Sequence, residues 1–416
     1  MRNIKYLIYA IGAVGLLLAV GAIGLTVLGM PKFEVAAPTL EVDKSAARVQ
    51  RGRQLARMLC LSCHYNTNER RLQGAPLTRV PWRIGNLQSP NITKHAEHGI
   101  GSWTDGEVAF ALRTGVHPKT EQLMLPVMPR WPAMATEDLE AIVAFLRSDD
   151  PMVAEADVAR GRPRVTLRAK LFARLKWQPS DYPAQPIPVP DADDPVVYGK
   201  YLVDSVLQCH RCHSASLDAI DYADPPQTPG YLGGGAKLDG VALKTVRAAN
   251  LTSHASGLKD WTAVDLRHAL IDGFRPDGAV LRWPMHRFAD LSVGDVEAIY
   301  AYLRTVPPIA STIERPEPRR IGSVADPGLH ALQKYGCVHC HGETGEGLAD
   351  LRGLDKTFPS DKELIAFLKD PSTSYEGTVM PKYDGVVEDG DYAALCGAMR
   401  RISKAREEAF AVAGAQ

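Results

Sequence analysis

The sequence predicts an all-α fold, with an N-terminal transmembrane helix followed by three helical units in tandem. Three observations carry this prediction. After Arg2 and Lys5 no charged residue occurs from Tyr6 to Met30; the sequence Cys-x-x-Cys-His occurs three times; and the stretches after its first two occurrences repeat each other. A chain of 416 residues has room for about three domains at ~150 residues each, in agreement with the motif count.

The first element is the apolar run. Its 25 residues exceed the ~20 that cross a bilayer, and they exceed the ~7–15 apolar residues of a cleaved signal peptide, so a retained anchor is expected. Arg2 and Lys5 precede the run, which places the N-terminus in the cytoplasm and the rest of the chain on the periplasmic side of the inner membrane, with a single pass. Gly12, Gly15, Gly21 and Gly24 leave room for another transmembrane helix to approach.

The second element is the triplicated motif, which stands at Cys60-Leu61-Ser62-Cys63-His64, Cys209-His210-Arg211-Cys212-His213 and Cys337-Val338-His339-Cys340-His341. Two thiols at this spacing add to the two vinyl groups of one porphyrin, and the adjacent imidazole binds the iron. The expectation is three covalently bound haems c, held by Cys60, Cys63, Cys209, Cys212, Cys337 and Cys340, with His64, His213 and His341 as iron ligands. Six of the seven cysteines are thereby used. Covalent haem attachment implies assembly outside the cytoplasm. With Lys plus Arg equal to Asp plus Glu at 48 each, no net charge draws the chain to nucleic acid.

The third element is the duplication. Asn91-Ile92-Thr93, Gly99, Trp103-Thr104, Leu112 and Gly115 recur as Asn250-Leu251-Thr252, Gly257, Trp261-Thr262, Leu270 and Gly273, with the glycine-to-tryptophan and tryptophan-to-glycine spacings kept. Each copy ends in a helix with one apolar face, Leu139, Ile142, Val143 and Leu146 in the first and Val296, Ile299, Tyr300 and Leu303 in the second. Ser292 and Asp295 resemble a capping box. Met128 and Met285 occupy equivalent positions ahead of these helices, each beside a proline that stiffens its loop, which makes them the second axial ligands. Met124 competes with Met128, and His286 with Met285. The Asn-x-Thr triplets match a glycosylation acceptor, but their recurrence at one repeat position points to a structural role beside the haem.

The third unit is shorter and is not a clear copy. A helix start is expected at Ser360 with Glu363, and Met380, next to Pro381, is its candidate ligand. Tyr392, Leu395, Cys396 and Met399 share a helix face, so Cys396 reads as a core side chain. The prolines around 307–318 suggest that this unit has some freedom. The segment Arg160–Trp177 interleaves basic and apolar residues with no acid. It reads either as a connecting helix packed between two haem units with its charges in water or as a membrane-surface contact. His210 and His339, between paired cysteines, are expected at the surface.

Residues 48 to about 308 resemble the first two haem domains of the triheme cytochrome c subunits of membrane-bound bacterial dehydrogenases for alcohols, gluconate and related polyols. The resemblance rests on "GRQLARMLC" and "GKYLVDSVLQC", "PNIT…GIGSWT" and "ANLT…GLKDWT", and "AIVAFLRS" and "AIYAYLRTVPP". It implies class I cytochrome c domains over 48–150 and 195–308; the third motif adds a third such domain over 326–405, the apolar run gives the transmembrane anchor at 1–30, and linkers fall at 151–194 and 309–325. It also implies an electron-transfer protein without catalysis of its own, relaying electrons between a dehydrogenase catalytic subunit or other respiratory donor and a quinone or respiratory acceptor. The third domain departs from that family's third domain, and the uncleaved N-terminal span is unlike the cleaved signal and C-terminal attachment of those subunits. The alternatives are a cytochrome subunit of a terminal oxidase or reductase complex and a haem enzyme such as a peroxidase or nitrite reductase.

Overall fold

The computed structural model describes residues 2–66, 69–77, 85–161, 164–239, 245–311, 313, 326–342, 344–345, 351–375, 378 and 380–413. Most of the expected second linker lies outside these residues. Helix α1 (Arg2–Leu28) leads in, and its apolar stretch Ile11–Leu28 has a mean hydropathy of 2.4 with none of it buried. A surface of that kind is stable in hydrocarbon and costly in water.

Three helix pairs then organise the chain. Helix α2 (Ala46–Leu59) crosses α4 (Thr136–Leu146), α6 (Pro195–Tyr201) crosses α8 (Val293–Thr305), and α9 (Pro327–Lys334) crosses α11 (Asp391–Ala413). A glycine sits at each crossing. A Cβ on Gly52 would lie 1.7 Å from the Ala141 carbonyl oxygen, one on Gly199 1.9 Å from that of Ala298, and one on Gly328 2.5 Å from that of Ala394. Only a residue without a side chain lets the backbones meet this closely, so the third unit shares the helix crossing of the other two despite its divergent sequence. In the second pair the chain between glycine and cysteine is two residues longer than in the first. The extra length is taken up in a π-helical turn at Leu202–Val206 and a left-handed Gln208, φ 52°.

Helix α3 (Asp105–Thr114) and its counterpart α7 (Ala263–Arg267, continued as a π turn to Asp272) follow from the duplicated Trp-Thr and glycine. Thr104 with Glu107 and Thr262 with Asp265 form capping boxes, and Gly115 and Gly273 end the helices at φ 76° and 91°, a conformation that costs glycine no steric strain. The boxes expected at Ser292 and Ser360 are also formed, the latter opening α10 (Asp361–Lys369). Helix α5 (Leu167–Leu175) carries the basic segment.

The expected all-α content is modified by two small antiparallel sheets, Pro76–Leu77 with Gly85–Gln88 and Arg164–Val165, and Lys237–Asp239 with Thr245–Arg247. They occupy equivalent places before Asn91 and Asn250. Runs of two to four residues leave no periodicity for a sequence pattern to show.

One continuous apolar core joins residues of the first two units, including Leu55, Ile142, Val203 and Ile299. A second core is built from the third unit, including Leu332, Leu364 and Leu395, and it contains Phe274 and Val280 of the second. The Phe274 and Tyr383 rings meet edge to face at 5.5 Å, and the backbone N–H of Lys382 donates to the Asp272 carbonyl at 3.3 Å. The freedom expected of the third unit is corrected by these contacts. Cys396 is fully buried and burial pushes its thiol up to about 11, as suits an inert core cysteine.

Candidate haem sites

The three attachment turns fold alike. The N–H groups of Cys63, Cys212 and Cys340 donate to the carbonyls of Cys60, Cys209 and Cys337, each at 3.2 Å, and those of His64, His213 and His341 donate to the same carbonyls, each at 2.9 Å. Positions i, i+3 and i+4 of a helical turn share a face, so each turn presents two thiols and an imidazole to one side.

In the first two sites the imidazole is also aimed. His64 Nδ1 lies 2.9 Å from the Pro90 carbonyl oxygen and His213 Nδ1 lies 2.8 Å from that of Ala249. Nδ1 can only donate to a carbonyl, which leaves Nε2 as the lone-pair nitrogen able to bind metal. Burial pushes both imidazoles below their ordinary range, although the carbonyl bond opposes this, so the neutral ring is favoured.

The orienting carbonyls belong to the residues just before Asn91 and Asn250, which explains the repeated triplet. Asn91 Oδ1 accepts from the Thr93 N–H at 2.9 Å and the Thr93 hydroxyl at 2.7 Å, while its Nδ2 donates to the Ala156 carbonyl at 2.8 Å. Asn250 repeats this with Thr252 at 2.9 and 2.7 Å and with the Ile309 carbonyl at 2.8 Å. Both side chains are at most 2% exposed. They lock the loop that orients the histidine, and such burial rules out a sugar acceptor.

A single cavity of about 1330 Å³ runs along both sites, walled by Cys60, Cys63, His64 and Met128 and by Cys209, Cys212, His213 and Met285, with Leu112, Trp131, Leu270 and Ile299 among its apolar lining. Pockets for one drug-sized ligand span roughly 300–1,000 Å³, so this cavity exceeds the space for one such group. Thiols, an oriented imidazole, a thioether and apolar walls fit a haem at each end. The N–H of Met128 donates to the Leu125 carbonyl at 2.9 Å and that of Met285 to the Arg282 carbonyl at 3.0 Å, so the two methionines sit in equivalent turns. Met124 and His286 line the same cavity, which keeps each rival beside its candidate. At the third site Cys337 and Met380 belong to one apolar cluster, and Cys337 Sγ lies 4.0 Å from the Tyr383 hydroxyl.

The expectation for His210 is corrected. It is 1% exposed and faces a buried cluster in which Asp204 accepts from Tyr231, Tyr231 meets Tyr302 at 2.8 Å, and the His210 Nδ1 stands 3.9 Å from Asp204. Burial pushes it down to about 4. The attachment turn is local, whereas this cluster comes from residues up to 92 positions away, beyond any local pattern. The side chain of His339 lies outside the described residues. No other group of His, Cys, Asp or Glu among the described residues is arranged to hold a metal.

Each candidate methionine loop of the first two units is strapped to the helix and motif segment of the other unit. The Met128 loop is held where Arg211 donates to the Pro126 carbonyl at 3.0 Å, Gln208 to the Arg130 carbonyl at 2.6 Å, and the Trp131 indole to the Val206 carbonyl at 3.0 Å. The Met285 loop is held where Gln54 donates to the Asp290 carbonyl at 2.7 Å and Arg57 pairs with Asp290 at 3.1 Å. Sequence reasoning missed these straps because they join residues 75 or more positions apart. A Gln208→Ala, Arg211→Ala double variant is therefore expected to loosen the Met128 loop although both residues lie beside the second site. Each lost bond costs about 1 kcal/mol, and, with Met128 as the candidate ligand, the near-infrared band that a Met–iron bond gives should fall with pH or temperature earlier than in the parent. An unchanged band under all conditions would contradict the strap.

Residues 49–149 match the cytochrome c family. Across 74% of its length the chain is 28% identical to the cytochrome c subunit of alcohol dehydrogenase (quinone) from Gluconacetobacter polyoxogenes, covering 68% of that protein. It is 27% identical over 76% of its length to the fructose dehydrogenase cytochrome subunit of Gluconobacter japonicus, covering 68% of it. It is 29% identical over 67% of its length to the gluconate 2-dehydrogenase cytochrome c subunit of Pantoea cypripedii, covering 64% of it. The attachment turn, aimed histidine and matched residues 49–149 make the first unit a cytochrome c domain that binds haem c covalently, in a chain similar over most of its length to the cytochrome c subunits of alcohol, fructose and gluconate dehydrogenases.

Proposed function

We propose that the chain carries three haems c, ligated by His64 and Met128, His213 and Met285, and His341 and Met380, and relays electrons from a dehydrogenase catalytic subunit to a quinone or other respiratory acceptor. Domain boundaries follow the three glycine crossings, and α1 holds the haem units at the periplasmic face of the inner membrane. The observation that carries the reading is the single cavity walled by both first sites. A haem between histidine and methionine exchanges electrons and has no vacant coordination position.

The chain's own residues supply the rest. Pro90 and Ala249 carbonyls fix the histidine tautomers, the crossed straps hold the methionine loops, and the shared core keeps the two sites in one rigid body. Phe274, Val280 and Asp272 tie the third unit to the second, so the three sites form one connected structure. The relatives named as dehydrogenase cytochrome subunits support the choice of partner.

Full-length protein isolated from its native membrane is expected to travel with a dehydrogenase catalytic subunit. Adding that enzyme's substrate, tried among alcohols, fructose and gluconate, should bring up the reduced haem c spectrum within the turnover time. Isolation without such a subunit, or haem that stays oxidised while substrate is consumed, would contradict the proposal.

A further inference from the structure

We propose that α5 is a second membrane contact, an interfacial helix lying on an anionic phospholipid surface beside the end of α1. This rests on the reading of α1 as a membrane span. The helix is turned inside out for a water-exposed position. Its small residues Ala169 and Ala173 are buried, at 4% and 0% exposure, while Leu167, Leu171, Phe172 and Leu175 are 42%, 42%, 40% and 68% exposed. Leu167, Leu171 and Leu175 follow one another at i+4 spacing and so form a single outward stripe. A surface helix normally turns such a stripe toward the core, and an apolar stripe facing outward indicates another apolar medium.

Position and charge identify that medium. Arg174 donates to the carbonyls of Leu28 and Gly29 at 2.9 and 3.1 Å, the last residue of α1 and the one that follows it. The α5 helix is thus pinned at the level where the span leaves the hydrocarbon. Arg168 and Lys176 are exposed, Lys170 and Arg174 half-buried, and no acidic residue occurs from Val158 to Ser180. Leucine and phenylalanine between arginines and lysines fit the boundary between acyl chains and anionic headgroups. Gly29, Met30 and Lys170 line the same cavity as His64, so this contact brings the first site against the membrane face.

The test places a photoactivatable benzoylphenylalanine at Phe172 or, separately, at Tyr9 in the full-length haem-loaded protein. The protein is reconstituted in bilayers of equal phosphatidylglycerol and phosphatidylcholine. Tyr9 is 71% exposed on α1 and reports the span alone. Lipid adducts are expected at both positions, with phosphatidylglycerol enriched roughly threefold or more at 172, as a few basic residues near a charged surface produce. That enrichment should be lost in an Arg168→Gln, Lys170→Gln variant. Adducts at Tyr9 without any at 172 overturn the proposal and leave the span intact. Polypeptide adducts at 172 overturn it in favour of a protein partner, and absence of lipid at both positions overturns the span and the proposal together.

Discussion

Replacing Cys209 and Cys212 with serine is expected to cost the protein far more than one haem. The first two sites share a cavity of about 1330 Å³ and one apolar core. Leaving the apolar walls of the second site uncovered would cost on the order of 10 kcal/mol, at about 1.5–3 kcal/mol for each of several large side chains exposed to water. That equals the whole stability of a typical domain, about 5–15 kcal/mol. Both units should therefore lose protection from trypsin together, although Cys60, Cys63 and His64 are unchanged. The matching Cys337→Ser, Cys340→Ser variant empties a site in the separate core and should leave the first pair folded with two haems. A C209S/C212S protein that keeps a protected first unit with its near-infrared Met–iron band would show the two units to be independent.

A valine at Gly199 is the second large effect. Its Cβ would stand 1.9 Å from the Ala298 carbonyl oxygen, and a backbone atom in the middle of α8 cannot step aside as a side chain can. Overpacking in cores costs typically 1–3 kcal/mol, and an overlap with backbone belongs at about 3 kcal/mol or more. The helix pair must separate, which moves both the second attachment turn and Tyr201, whose hydroxyl donates to Asp138 at 2.6 Å in the first unit. Gly397 is the control. It lies inside α11, where an added Cβ meets only the Arg401 guanidinium at 3.5 Å, so Gly397→Ala should be neutral or stabilise by up to about 1 kcal/mol. Thermal unfolding followed by haem absorbance checks both; a Gly199→Val protein as stable as the parent would contradict the crossing.

Much of this architecture was legible locally. The Cys-x-x-Cys-His turns need five residues, the capping boxes four, and the Asn-to-Thr half of the Asn-x-Thr lock three, and each of these proved to be a short-range device; the bonds from Asn91 to Ala156 and from Asn250 to Ile309 complete the lock from far along the chain. The glycine crossings were also present in the sequence, as the first letters of GRQLARMLC and GKYLVDSVLQC. Their spacing to the cysteine varies among the units, since the second inserts a π turn, and this hides the third copy at Gly328. What could not be read depends on contacts distant in sequence. His210 is buried against Asp204 and Tyr231, the latter held by Tyr302, and the methionine loops are strapped by Arg57, Gln208 and Arg211. The third unit completes its core with Phe274 and Val280. Periodicity reports which face of an element is buried and is silent on which neighbour covers it.

Three covalent haems, each on its own Cys-x-x-Cys-His turn, underlie the proposed relay, and the mass of the intact denatured chain tests this most directly. Protein matured in a host competent for haem c attachment should carry the added mass of three porphyrins that survive denaturation. A fully matured chain with the mass of two or fewer would contradict it, and the relay through three connected sites with it.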